Sequence, residues 1–258
     1  MNAQVPAAFF DQNMVRSAVD TVLTDFLASQ THEAHRRGLP RQAAQALSSF
    51  LGAGGKRIRP VLCVAGWQAA GGTGAPDPVL RAAASLEMFH ASMLIHDDII
   101  DASDTRRGRP TVHRTTSTEA AILIGDLALV LADELLHSAG LTPDQLTAAL
   151  PVTNALRADT VYGQCLDLSH TGQPTAGLDQ ALAITRYKTA KYTVEGPLLL
   201  GAALAPTPGS HTCRPALTAY GIPVGEAFQL RDDLLGVFGN PDDTGKPALD
   251  DLSGRFVR

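Results

Sequence analysis

Two short acidic clusters in this chain each follow an apolar stretch. The first is His96-Asp97-Asp98-Ile99-Ile100-Asp101 and the second Arg231-Asp232-Asp233-Leu234-Leu235-Gly236. On a helix, Asp97 and Asp101 stand four residues apart on one face, where like charges destabilise unless a cation sits between them. Carboxylate oxygens are the ligands magnesium prefers, and magnesium keeps several waters while binding substrate phosphates. A solvated acidic helix end is the bland alternative. Against it, a run rich in Met, Leu and Ile leads into Asp97, so the carboxylates stand at the rim of an apolar region. The second cluster is the weaker one, because Gly236 occupies the place four after Asp232 where a third aspartate would complete the pattern. Brought together in space, the two clusters would make a strongly negative pocket that needs divalent ions.

Cations complement them. Gly54-Gly55-Lys56-Arg57-Ile58-Arg59-Pro60 is not a P-loop: Phe50 stands where the first glycine belongs, and Arg57 replaces the Ser/Thr. What remains is a glycine pair and three cations at a helix start, where backbone N–H groups, helix dipole and basic side chains suit a diphosphate. A solvated basic turn is the alternative here. Arg106, Arg107 and Arg109 follow closely behind the first aspartates, and Lys188, Lys191 and Lys246 add to the supply. One diphosphate handled by metal, another by metal-free cations, and a long apolar helix between them suit the joining of two prenyl diphosphates.

The elements that must hold these groups read as helices. Apolar spacing predicts helices over Gln12–Ser29, Arg41–Leu51 and Ile58–Ala70, the last with Pro60 in its first turn, where a missing N–H costs least. A long run from Val79 to Ala102 carries the first acidic cluster. Further helices are predicted over Thr118–His137, Pro143–Leu168, Leu178–Leu204 and Cys213–Phe238, with loops at 71–78, 172–177 and 206–210. Period-two alternation is essentially absent, and the expected fold is all-α, a single domain over residues 1–258.

Composition agrees. The chain has 258 residues, enough for one sizeable core, and is 45% hydrophobic and 18% charged. Its net charge of -5 leaves no global basic footprint and argues against nucleic acid as a partner. Cys63, Cys165 and Cys213 lie far apart without pairing motifs and read as reduced thiols. No run approaches the length of about 20 apolar residues that spans a bilayer, and residues 1–10 lack the basic start of a signal peptide. The expected location is cytoplasmic.

Five blocks, in order, then carry a resemblance: GGKRIRP, HDDIIDASDTRRGRPTVH, YGQCLDL, YKTAKYT and FQLRDDLLGVFGNPDDTGKP. From about residue 50 to its end the chain resembles the trans-isoprenyl diphosphate synthases, the family of farnesyl and geranylgeranyl diphosphate synthases. The resemblance implies a helical bundle around a central apolar cavity, usually a homodimer, using three magnesium ions, an allylic diphosphate and isopentenyl diphosphate. It makes Asp97, Asp98, Asp101, Asp232 and Asp233 the metal ligands. Lys56, Arg59, His90 and Arg107 match positions that grip isopentenyl diphosphate, and Arg106, Lys188 and Lys246 match those on the allylic diphosphate. Thr189 and Gln229 match groups near the allylic carbocation, with Lys188 beside them, and Gln164 and Asp167 match an element lining the site. The implied chemistry is ionisation, condensation and elimination, with the released diphosphate taking the proton, so His90 and His96 are not a catalytic pair.

Product length is read from the helix before Asp97. Ser92 and Met93 stand about one turn upstream, where farnesyl-forming relatives often carry an aromatic floor; a turn rises about 5.4 Å, similar to one five-carbon unit. Without that floor the cavity should reach Phe89 or Leu86, giving geranylgeranyl diphosphate or longer. Departures from the family pattern are Gly236, Arg255 in place of a usual lysine, and an end at Arg258 before the family's last helices. They motivate one rival reading, a non-catalytic or regulatory paralogue that binds prenyl diphosphates or a full-length synthase. An HD-type phosphohydrolase would leave GGKRIRP and the second acidic cluster unexplained, and a terpene cyclase would have no use for Lys56 and Arg59.

Overall fold

A computed structural model describes residues 11–171, 177–205 and 212–239. Helix α1 (Gln12–Arg36) starts on Asp11, whose carboxylate accepts from the backbone N–H of Asn13 at 2.8 Å. It runs past the predicted end at Ser29 because its last turns are held by polar groups, including an Arg36–Glu33 ion pair of 2.7 Å, until Gly38 turns left-handed at φ +67°. Helices α2 (Gln42–Gly52) and α3 (Ile58–Ala69) follow as the spacing predicts. Helix α4 (Asp77–Ile100) is the centre: Val79, Leu80, Ala82–Phe89, Ala91, Ser92 and Ile95 are all buried, so it is covered on every side.

Strands β1 (Thr105–Arg106) and β2 (Arg109–Pro110) form a two-residue hairpin that the periodicity does not anticipate. Arg107 and Gly108, at φ +53° and +70°, make its turn, and two successive positive φ angles define the tight primed geometry that matches strand twist. Short helix α5 (Val112–Thr115) leads to α6 (Thr118–His137), capped by the Ser117 hydroxyl. Helix α7 (Pro143–His170) opens with a reciprocal Thr142/Gln145 capping box. The predicted helix over Leu178–Leu204 keeps its limits but has three parts: α8 (Leu178–Ile184), a π-helical segment (Thr185–Glu195) and α9 (Gly196–Leu204). Helix α10 (Arg214–Phe238) ends the described chain. No described helix is long and apolar enough to cross a membrane.

Helix α4 packs on α6 and α3, α3 on α9, and the π segment is gripped between α7 and α10. Backbone approach is closest at glycines. A Cβ on Gly201 would lie 1.8 Å from the Cys63 carbonyl oxygen, one on Gly163 2.3 Å from the Lys188 nitrogen, and one on Gly225 2.5 Å from the Ala190 Cα. The last two press the π segment from opposite sides. A wide helical turn of this kind is rare and tends to occur at functional sites. Packing on both sides, absent from any local periodicity, holds it here.

Candidate active site

The first acidic cluster sits at the C-terminal end of α4 and meets cations from two other elements. Arg106, on β1, donates through Nε and Nη2 to one oxygen of Asp98, each at 2.7 Å, and its Nη2 stands 3.7 Å from Asp97. Lys188, on the π segment, lies 2.6 Å from Asp167 and 3.7 Å from Asp97. Gln164, on α7, donates to Asp97 at 3.0 Å. The YGQCLDL and YKTAKYT blocks thus converge on the first aspartates. Burial opposes the Lys188 charge, but Asp97, Asp167 and Asp101 outweigh it and raise its pKa.

The carboxylates differ among themselves. Asp98 is only 1% exposed; its Oδ1 is taken by Arg106 while its Oδ2 is buried with no hydrogen-bond partner. Desolvation, partly offset by Arg106, pushes its pKa upward. Asp101 is also pushed up, by desolvation and then by the like charge of Asp97. Two aspartates in mutual repulsion and an orphaned buried carboxylate oxygen form an all-oxygen donor set short of positive charge, which fits a hard divalent cation. Among the described residues no three His, Cys, Asp or Glu side chains converge tightly enough to cage an ion by themselves.

The second cluster is tied to the first through the π segment. Thr189 donates to Gln229 Oε1 at 2.8 Å, and Gln229 donates through Nε2 to Asp233 at 2.7 Å. Neighbouring residues Lys188 and Thr189 therefore address Asp97 and Asp233 respectively. Asp232 and Lys56 are exposed. Lys246 and Arg255 lie outside the described residues.

The glycine-rich segment divides its three cations. Arg57 adopts φ +47° at the start of α3 and turns inward, meeting Asp20 at 2.7 Å, Glu87 at 3.0 Å and the Leu51 carbonyl at 2.8 Å. Its side chain is 4% exposed and that of Glu87 3%. Burial works against the charge, yet Glu87 and Asp20 outweigh it and raise the Arg57 pKa. Arg57 is therefore a strut beneath the loop, not a third diphosphate cation. Lys191 likewise turns away, to Asp159 at 2.6 Å. Removing the Glu87 charge alone should leave Arg57 underpaired in the interior; Glu87→Gln is expected to lower stability by about 3 kcal/mol, read from denaturant unfolding.

Lys56 and Arg59 remain for a ligand, with Arg107 nearby: Arg107 donates to the Gly54 carbonyl and its guanidinium would stand 3.4 Å from a Cβ on Gly55. Arg59 donates to Thr193 at 2.8 Å, while its Nε is buried without a hydrogen-bond partner. His90, half-buried on α4, is hydrogen-bonded through Nδ1 to the Tyr192 hydroxyl. Burial first, then Arg59, Arg107, Arg106 and Arg57, push the His90 pKa well down, so the ring is neutral and able to donate. Tyr192 and Thr193, which sequence reasoning did not single out, belong to the YKTAKYT block, and that block was the available signal.

Fold and site together describe a predominantly helical protein whose acidic helix end meets cations from two other elements, with further cations grouped around the start of α3. A polyprenyl synthetase family profile matches residues 40–255, and the chain belongs to that family. It is 38% identical over 201 residues to a (2E,6E)-farnesyl diphosphate synthase of Mycobacterium tuberculosis, a match covering 78% of this chain and 54% of that protein. A geranylfarnesyl diphosphate synthase of Aeropyrum pernix is 33% identical over 216 residues, covering 83% and 67%. The crystal structure of a geranylgeranyl pyrophosphate synthase from Corynebacterium glutamicum, complexed with isoprenyl diphosphate and magnesium, superposes with a TM-score of 0.88 at 41% identity, covering 95% of this chain and 74% of that one. The chain thus spans about half the length of the first of these relatives.

Proposed function

We propose that the chain is a magnesium-dependent prenyltransferase that joins isopentenyl diphosphate to an allylic diphosphate, giving a longer trans-prenyl diphosphate. What supports this reading is the meeting of Asp97 and Asp98 with Arg106 and Lys188, while Arg59 and Arg107 lie near His90, with Lys56 close in sequence. Each group can take one diphosphate. Magnesium, three ions in this reading, would be held by Asp97, Asp98, Asp101, Asp232 and Asp233, and would neutralise charge on the departing diphosphate.

The protein's own groups do the rest. Arg106, Lys188 and Lys246 hold the allylic diphosphate and meet the charge that develops as its C–O bond breaks. Oxygens of Thr189 and Gln229, linked to one another, face the allylic carbon as it becomes positive. Lys56, Arg59, Arg107 and neutral His90 hold isopentenyl diphosphate so that its double bond attacks that carbon, and the released diphosphate removes the proton that restores the double bond. Gln164 keeps Asp97 oriented. The expected product is geranylgeranyl diphosphate or longer, the enzyme acts in the cytoplasm, and it assembles as a homodimer.

The test is direct. The protein, magnesium, isopentenyl diphosphate and allylic primers of five to fifteen carbons should yield elongated product. Failure with every primer would reject the synthase reading and leave a diphosphate-binding paralogue.

A further inference from the structure

Tyr192 stands where three elements meet. Its hydroxyl is hydrogen-bonded to His90 Nδ1 on α4, and the guanidinium carbon of Arg59, from α3, lies 4.0 Å from its ring centroid. It makes a T-shaped contact with the Phe89 ring, also on α4, at a centroid distance of 5.9 Å and an interplanar angle of 83°. The next residue, Thr193, takes a hydrogen bond from Arg59. Tyr192 is 6% exposed, and burial raises its hydroxyl above the usual range, so it stays a hydrogen donor.

These contacts have a chemical consequence. A buried tyrosine hydroxyl that keeps its hydrogen can donate it to Nδ1, which would place the imidazole hydrogen at Nε2, so the Tyr192 hydroxyl is positioned to select the His90 tautomer. An arginine lying on an aromatic face is held in plane by cation–π attraction, which leaves its remaining N–H groups fixed in direction. We propose that Tyr192 is a positioning residue for the isopentenyl diphosphate site, orienting Arg59 through its ring face and His90 through its hydroxyl before the substrate arrives. Donors fixed in advance lose less freedom on binding, and the same ring braces Phe89, so the diphosphate grip and the apolar floor share one reference point. The inference rests on the function proposed above.

Two variants separate the two contacts. Tyr192→Phe keeps the ring and removes the hydroxyl; calorimetry with isopentenyl diphosphate should show binding weakened about three- to tenfold, the range of one lost hydrogen bond. Binding of a non-ionising allylic thiolodiphosphate with magnesium should stay within roughly twofold, a split that general loss of structure does not produce. Nitrogen-detected NMR of the imidazoles should find His90 in the Nε2–H tautomer in the wild type and in mixed tautomers in Tyr192→Phe. Tyr192→Leu, which also removes the ring under Arg59, should weaken isopentenyl diphosphate binding by more than about tenfold. Should Tyr192→Leu not fold, Tyr192→Phe still decides. Equal isopentenyl diphosphate affinity and an unchanged His90 tautomer in Tyr192→Phe would overturn the role of Tyr192 alone. A wild-type protein that binds neither diphosphate would overturn the proposed function and this inference with it.

Discussion

Replacing Asp97 with alanine should abolish measurable elongation. Asp97 is the carboxylate on which Arg106, Lys188 and Gln164 converge, and it repels Asp101 one turn away. Its loss removes the negative charge that draws a divalent ion to this helix end and leaves Lys188 with Asp167 as its near partner. Deleting one preorganised donor at a site of developing charge typically slows catalysis about 10²–10³-fold, and losing the metal's anchor should cost at least that. Steady-state elongation with saturating isopentenyl diphosphate checks it, alongside calorimetry of that substrate alone. Rate should collapse while isopentenyl diphosphate affinity stays near the wild-type value, since Lys56 and Arg59 are untouched. Because Asp97 is only partly buried and caps no packing contact, the melting temperature should not fall with the rate.

The second large effect concerns product length. Phe89 lies eight residues before Asp97, about 12 Å along the helix axis. It is 2% exposed, in T-shaped contact with Tyr192 and with the Arg157 guanidinium 5.5 Å from its centroid. Arg157 is itself held by Asp133 of α6. Ser92, between Phe89 and Asp97, is small, and Met93 is unbranched and pliable. On the proposed function, Phe89 would be the first rigid obstacle to a growing chain. Phe89→Ala should shift the main product upward by one or more five-carbon units, read by chromatography of dephosphorylated products. Emptying a buried aromatic site also costs about 3–5 kcal/mol of stability, so Phe89→Leu provides a gentler version with a smaller shift. An unchanged product distribution in both would place the floor elsewhere on α4.

Much of this organisation was legible in the residues. Helix α6 occupies the predicted Thr118–His137 because a capping serine precedes a strongly periodic run, and α3 begins where Pro60 in the first turn indicates. The first acidic cluster could be read because three aspartates abut an apolar helix, a pattern internal to one element. The inward turn of Arg57 could not: it depends on Asp20 and Glu87, which come from α1 and α4 and carry no local mark of their purpose. The hairpin at Arg107-Gly108 escaped because two-residue strands show no alternation and Arg-Gly is not a favoured primed-turn pair. The π segment escaped for another reason. Its sequence is compatible with an α-helix, and only the pressure of α7 and α10 tells the two apart.

That pressure comes from positions with no side chain, Gly163 on α7 and Gly225 on α10, touching the backbone at Lys188 and Ala190. The spacing between the two acidic helix ends is therefore metered by van der Waals radii of main-chain atoms, the least adjustable lengths in a protein. Side chains at the site can rotate to suit a different primer or product, while the frame that holds them cannot drift with them. Diversification within such a scaffold should accordingly fall on the apolar floor and rim, and mutational intolerance should extend to two glycines that carry no functional side chain at all.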